Sequence, residues 1–180
     1  MPCPSAGDHV ARLFRTIDGL SEWLGRVSMA LLVVLVCAML YEVFMRYAMN
    51  RPTEWAFDVS YMVNGALFYL AGGFAMRHSA HVRIDFLSSR LPEVMQARIL
   101  GVVLVFAFVP IIGLIAWVVS RKALTAYLTN AVEEVSPWAP RIWPYVAAIA
   151  LGLVVLTLQS LVEGVRLIAS GRLPRETPPH

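Results

Sequence analysis

Three stretches of this chain run without a single charge: Val59 to Met76 for 18 residues, Ile99 to Ser120 for 22 and Ile142 to Val162 for 21. A helix needs about 20 apolar residues to cross ~30 Å of hydrocarbon, so each stretch predicts a membrane span. A fourth, Val27 to Tyr41, has only 15 residues before Glu42 and reaches full length by continuing past Glu42 and Arg46 towards Asn50. With 58% hydrophobic and 15% charged residues and a mean hydropathy of +0.66, the chain is too apolar for a soluble domain. The expected fold is all-α: an integral membrane protein of four transmembrane helices with amphipathic interfacial helices. Its spans are expected over residues 27–50, 55–76, 99–120 and 142–167, in one membrane domain covering 1–170.

A net charge of +3 with scattered arginines gives no footprint for nucleic acid, but the arginines do report topology. Four spans put ten basic residues on the side of the termini and middle loop: Arg12, Arg15, Arg26, Arg77, Arg83, Arg90, Arg98, Arg166, Arg172 and Arg175. The other side has five, Arg46, Arg51, Arg121, Lys122 and Arg141. The positive-inside rule then predicts cytoplasmic termini and a cytoplasmic middle loop. The two cysteines, Cys3 and Cys37, are expected to be unpaired, since Cys37 lies within the first apolar run. That run follows 26 residues carrying three acids, which argues for a retained span over a cleaved leader.

Three segments have the period of a helix lying flat in the interface. Val10, Leu13, Phe14, Ile17, Leu20 and Leu24 predict one over 10–25, and Ile84, Leu87, Leu91, Val94 and Met95 predict another over 82–97, divided by Pro92. Leu124, Tyr127, Leu128, Ala131, Val132 and Val135 predict a third over 122–135, ending at Pro137 and Pro140, where Trp138 and Trp143 suit a headgroup belt. Residues 171–180 have no apolar period and read as a disordered tail.

The candidate residues lie at the span mouths. Glu42 and Arg46 are i, i+4 on one helical face and form either a structural pair or part of an ion pathway. Trp55 and Asp58 open the second span, where an acid suits the positive helix end and an indole the interface. Gly65, Ala66, Ala71, Gly72, Gly73 and Ala75 provide a small-residue surface for close helix approach, towards either this bundle or another subunit, with Asn64 as a polar handle. Pro110 is expected to kink the third span. His78 and His81 invite a haem reading, but no other span has a facing histidine, and His81 with Asp85 suits an i, i+4 pair. No nucleophile with a base, phosphate loop or metal-ligand spacing occurs, so neither catalysis nor a cofactor is expected.

The run RYAMNRPTEWAFDV, followed by a span ending in FYLAGGFAMRHSAHVRIDFL, then LP and two further spans, resembles the small membrane subunit of tripartite ATP-independent periplasmic (TRAP) transporters. The resemblance extends from Leu24 to Ala169. Its most specific pieces are Arg46 and Tyr47, Trp55, and His81, Val82 and Asp85. Where the family carries one or two glutamates after the tryptophan, this chain has Ala56, Phe57 and Asp58. The resemblance implies a bacterial inner-membrane protein that braces a large multi-span subunit and helps dock a periplasmic substrate-binding protein. Uptake of a solute, typically a carboxylate, would be driven by a sodium gradient. Structural or subunit-interface candidates are then Glu42, Arg46, Tyr47, Trp55, Asp58, Gly72, Gly73, His81 and Asp85. A membrane-anchor subunit of a respiratory complex is the alternative, and a self-contained four-span carrier a third reading.

Overall fold

The computed structural model describes residues 6–77, 92–134 and 136–171. Within them the chain is helical, and four segments are long and apolar enough to cross a membrane. No strand occurs among the described residues beyond an isolated bridge between Val132 and Arg141.

Helix α1, Ala6–Tyr47, is one helix of 42 residues, about 63 Å long at 1.5 Å per residue. The flat helix expected over 10–25 is therefore not a separate element; it forms the beginning of the first spanning helix. Nothing between Leu20 and Val27 removes a backbone hydrogen bond, and Gly25 brings α1 onto the next helix. A Cβ there would lie 2.5 Å from Phe74 Cδ2. The helix ends at Tyr47 rather than reaching Asn50, because Asn50 takes a left-handed conformation with φ 51°. The Arg51 N–H then turns back to the Met45 carbonyl at 3.0 Å.

Helix α2, Ala56–Arg77, starts with Asp58 in its first turn. The third span is built from α3, Glu93–Val103, a π-helical turn at Leu104–Phe108, and α4, Val109–Leu128. Pro110 explains the turn. Having no N–H and a ring that crowds the carbonyl four residues back, it disturbs the α-helical ladder. Widening the preceding turn, with the Val109 N–H on the Leu104 carbonyl, absorbs the misfit within a continuous helix.

The segment expected to form a flat helix over 122–135 divides at Leu128. Up to there it prolongs α4, and Asn130, left-handed at φ 49°, stops it. The chain then doubles back: Glu133 N–H bonds the Pro140 carbonyl at 2.9 Å and Ile142 N–H the Ala131 carbonyl at 3.1 Å. This hairpin-like turn satisfies backbone groups that the two prolines prevent from joining a helix. The flat helix expected over 82–97 falls mostly outside the described residues; its described end is the start of α3.

Helix α5, Trp143–Ser170, closes at Gly171, whose left-handed φ of 58° is the usual glycine stop. It is the centre of the bundle. α2 and α4 pack along it, α3 joins it near its C-terminal end, and α1 packs on α2 and reaches α5. Leu24, Leu70 and Val155 form one buried cluster where α1, α2 and α5 meet. Met76, Ala97, Leu104 and Leu167 form another.

Small residues permit this packing. A Cβ on Gly152 would lie 2.6 Å from the Tyr69 carbonyl carbon and oxygen. Gly65 sits under Tyr145, and Gly73 contacts Val155 and the Ser21 hydroxyl. The small-residue surface of α2 is thus used inside the chain. Most of the apolar stretch of α1, including Val33, Leu40 and Phe44, stays exposed.

Candidate functional site

The four crossings alternate in direction, which gathers polar side chains at two ends. One end holds the 48–55 connection and the hairpin at 129–142, and will be called the hairpin end. The other holds the beginning of α1 and the end of α5, and will be called the terminal end.

At the hairpin end, one turn of α1 separates Glu42 from Arg46, and the pair forms. Glu42 Oε1 accepts from Arg46 Nε at 3.0 Å and Nη2 at 2.6 Å. Its other oxygen accepts the Thr53 N–H at 3.0 Å and the Thr53 hydroxyl. The Glu42 residue is only 9% exposed, and four donors satisfy its carboxylate. Thr53, which no sequence pattern singled out, makes this pair a tie between α1 and the 48–55 connection. Tyr41 stacks on Trp55 with ring centroids 5.9 Å apart, strengthening the same junction. Tyr47 ends α1 and is exposed.

Asp58 is 5% exposed. It accepts the Ser136 hydroxyl, and the Ser136 oxygen in turn accepts the Trp138 N–H at 3.2 Å. The first turn of α2 is thereby fastened to the hairpin. Between them lies a cleft of about 350 Å³, whose walls include Glu54, Asp58, Glu133, Phe57, Tyr61 and Pro137.

At the terminal end the fold assembles a cluster that local spacing did not select. Asp18 is at the centre of a network joining three helices. Its Oδ2 accepts from Arg166 Nη2 at 2.6 Å and its Oδ1 from Gln159 Nε2 at 3.0 Å. Arg166 also donates to Glu163 at 3.0 Å, and its guanidinium lies 5.5 Å from the Phe14 ring centroid. The Ser21 hydroxyl donates to Gln159 Oε1 at 2.9 Å, with both residues fully buried. Arg77, at the end of α2, donates to the Asp18 carbonyl at 2.9 Å and to Glu22 at 3.0 Å.

One signal could have exposed this cluster. Gln159 is a polar residue inside an otherwise apolar, uncharged run, and Glu163 and Arg166 follow it at helical spacing, so α5 needed polar partners from another helix. The sequence alone did not say which helix would supply them.

Gly72 and Gly73 face α5, with Gly72 against Leu156. His81, Asp85 and His78 lie outside the described residues. Among the described residues no group of three or more His, Cys, Asp or Glu side chains could hold a metal ion. The geometry found here is suited to fixing helices relative to one another: charge-assisted hydrogen bonds close both ends of the bundle.

Residues 35–170 match the family described as tripartite ATP-independent periplasmic transporters, DctQ component. No curated protein and no solved structure matches the chain.

Proposed function

Because the chain belongs to the DctQ component family of tripartite ATP-independent periplasmic transporters, and is thereby a small permease component, we propose that it acts as the fixed scaffold for the large membrane subunit. The observation that carries this reading is the closure of both helix ends by internal bonds: Glu42 with Arg46 and Thr53 at one, Asp18 with Arg166 and Gln159 at the other. A subunit that carries solute across a membrane typically has broken half-helices around a midplane site. Here the spans stay continuous; even the interruption at Pro110 is absorbed as a π-turn. Such a body suits bracing a partner that moves.

In this reading the large subunit carries the transported organic acid or similar small solute and the coupling cation, sodium. A periplasmic binding protein delivers the solute at the hairpin end, and the chain lies in the bacterial inner membrane with both termini cytoplasmic. Support for the orientation comes from the ten-to-five basic bias. Glu42, Arg46, Tyr47, Trp55 and Asp58 shape the surface facing the binding protein. Gly72 and Gly73 set the internal packing beneath it, and His81 and Asp85 belong to the opposite connection.

The test is reconstitution. Liposomes holding this chain and the large membrane subunit, supplied with the binding protein and an inward sodium gradient, should accumulate solute. Leaving out this chain should abolish uptake. Full uptake without it, or uptake by this chain alone, would overturn the scaffold reading.

A further inference from the structure

One face of α2 is left mostly uncovered by the bundle, with only the Tyr61 ring meeting Tyr145 of α5 at 5.4 Å between centroids. Phe57, Tyr61, Asn64 and Phe68 recur at spacings of four, three and four along it, and all four are exposed. The aromatic members alone would suit lipid, since Phe68 is 72% exposed on an apolar span.

Asn64 does not suit lipid. It sits eight residues after Ala56 on a helix of 22, about 12 Å from its start at 1.5 Å per residue, which is within the hydrocarbon. Its side-chain amide has no hydrogen-bond partner among the described residues. Two donors and an acceptor facing acyl chains are costly, and in membrane proteins such groups bond across helices. The other polar side chains along the spans behave differently. Ser28, Ser120, Thr157 and Ser160 each return to a carbonyl four residues back, and Gln159 is bonded on both sides.

We propose that the Phe57–Tyr61–Asn64–Phe68 face of α2 is the surface on which a spanning helix of the large membrane subunit docks, with a polar group of that helix hydrogen-bonded to the Asn64 amide. This rests on the scaffold reading and adds the contact face to it. Charge indicates the occupant. The face leads into the cleft lined by Glu54, Asp58 and Glu133. A second copy of this chain pairing through the same face would be related by an axis along the membrane normal. That symmetry would set each copy's acids beside their equivalents. A different chain can instead bring a lysine or arginine to that level.

The test uses the complex in its native membrane. A photoreactive benzoylphenylalanine is placed in turn at positions 57, 64 and 68, and the tagged chain is recovered with its adducts. In parallel, recovery of the large subunit in mild detergent is compared for wild type, Asn64→Leu and Asn64→Gln. Adducts with the large subunit are expected. The leucine variant should weaken association about threefold to thirtyfold, while glutamine retains most of it. Leucine suits both a helix and lipid, so a lipid-facing position would tolerate it or gain from it. Adducts with lipid or a second copy only, or undiminished recovery with Asn64→Leu, would overturn the docking face. If the large subunit is recovered but not crosslinked, this inference alone fails. If it is never recovered with the wild-type chain, the scaffold reading fails as well.

Discussion

Arg166→Gln is expected to loosen the terminal end by about 2–3 kcal/mol. In the native fold the guanidinium reaches Asp18 at 2.6 and 3.4 Å and Glu163 at 3.0 Å, in a forked arrangement that one amide cannot reproduce. The change leaves two carboxylates, each with a side chain 15% exposed, without their shared cation. Removing one partner of a fully buried pair costs ~3–5 kcal/mol. Two features hold the effect below that range. The Arg166 side chain is 37% exposed, so water relieves part of the loss. Asp18 also keeps its bond from Gln159 at 3.0 Å. For a chain of this size, ~2–4 °C per kcal/mol gives a fall in Tm of about 4–12 °C. The assay is thermal unfolding in detergent, extended to the Asp18→Asn and double variants. Since the two residues act through one contact, the double variant should lose less than the sum of the singles, with a coupling of about 1 kcal/mol or more. A shift for Arg166→Gln below about 1 °C, or strict additivity, would refute the view that this pair fastens α1 to α5.

Gly152→Ala should abolish a monodisperse fold on size exclusion, because the new methyl would meet the backbone of Tyr69 at 2.6 Å; Gly72→Ala, whose nearest neighbour is the flexible Leu156 side chain at 3.5 Å, should behave as wild type. Glu42→Gln keeps the shape of the hairpin-end tie but removes its charge, and should loosen that tie by weakening its bonds to Arg46 and Thr53. Proteolysis within 48–55 should speed up in that variant while melting of the terminal end is unchanged, and equal rates would show that Thr53 does not depend on the charge.

What the sequence determined by itself was whatever acts locally along the chain. Burial of apolar surface in a bilayer accumulates residue by residue, so the uncharged runs were enough to indicate four spanning helices. The Glu42–Arg46 pair was legible because a single turn of helix brings i and i+4 together whatever the rest of the chain does. Periodicity was ambiguous where one pattern serves two structures. The residues of 10–25 and 122–128 recur at helical spacing whether the helix lies flat or prolongs a span. The choice was made by packing, through Gly25 on Phe74 and the buried contacts of Leu24 with Leu70 and Val155.

Tertiary structure alone decided the partners that are far apart in sequence. Asp18 meets Arg166 across 148 positions and Ser136 meets Asp58 across 78, so no local spacing could announce either bond. It also decided which way α2 faces. Its glycines could have served another subunit, and they serve α5 because backbone approach there leaves no room for a Cβ. That rotation turns Gly65 and Gly73 inward, and so places Asn64 on the outside, because residues sharing one helix cannot all face the same neighbour.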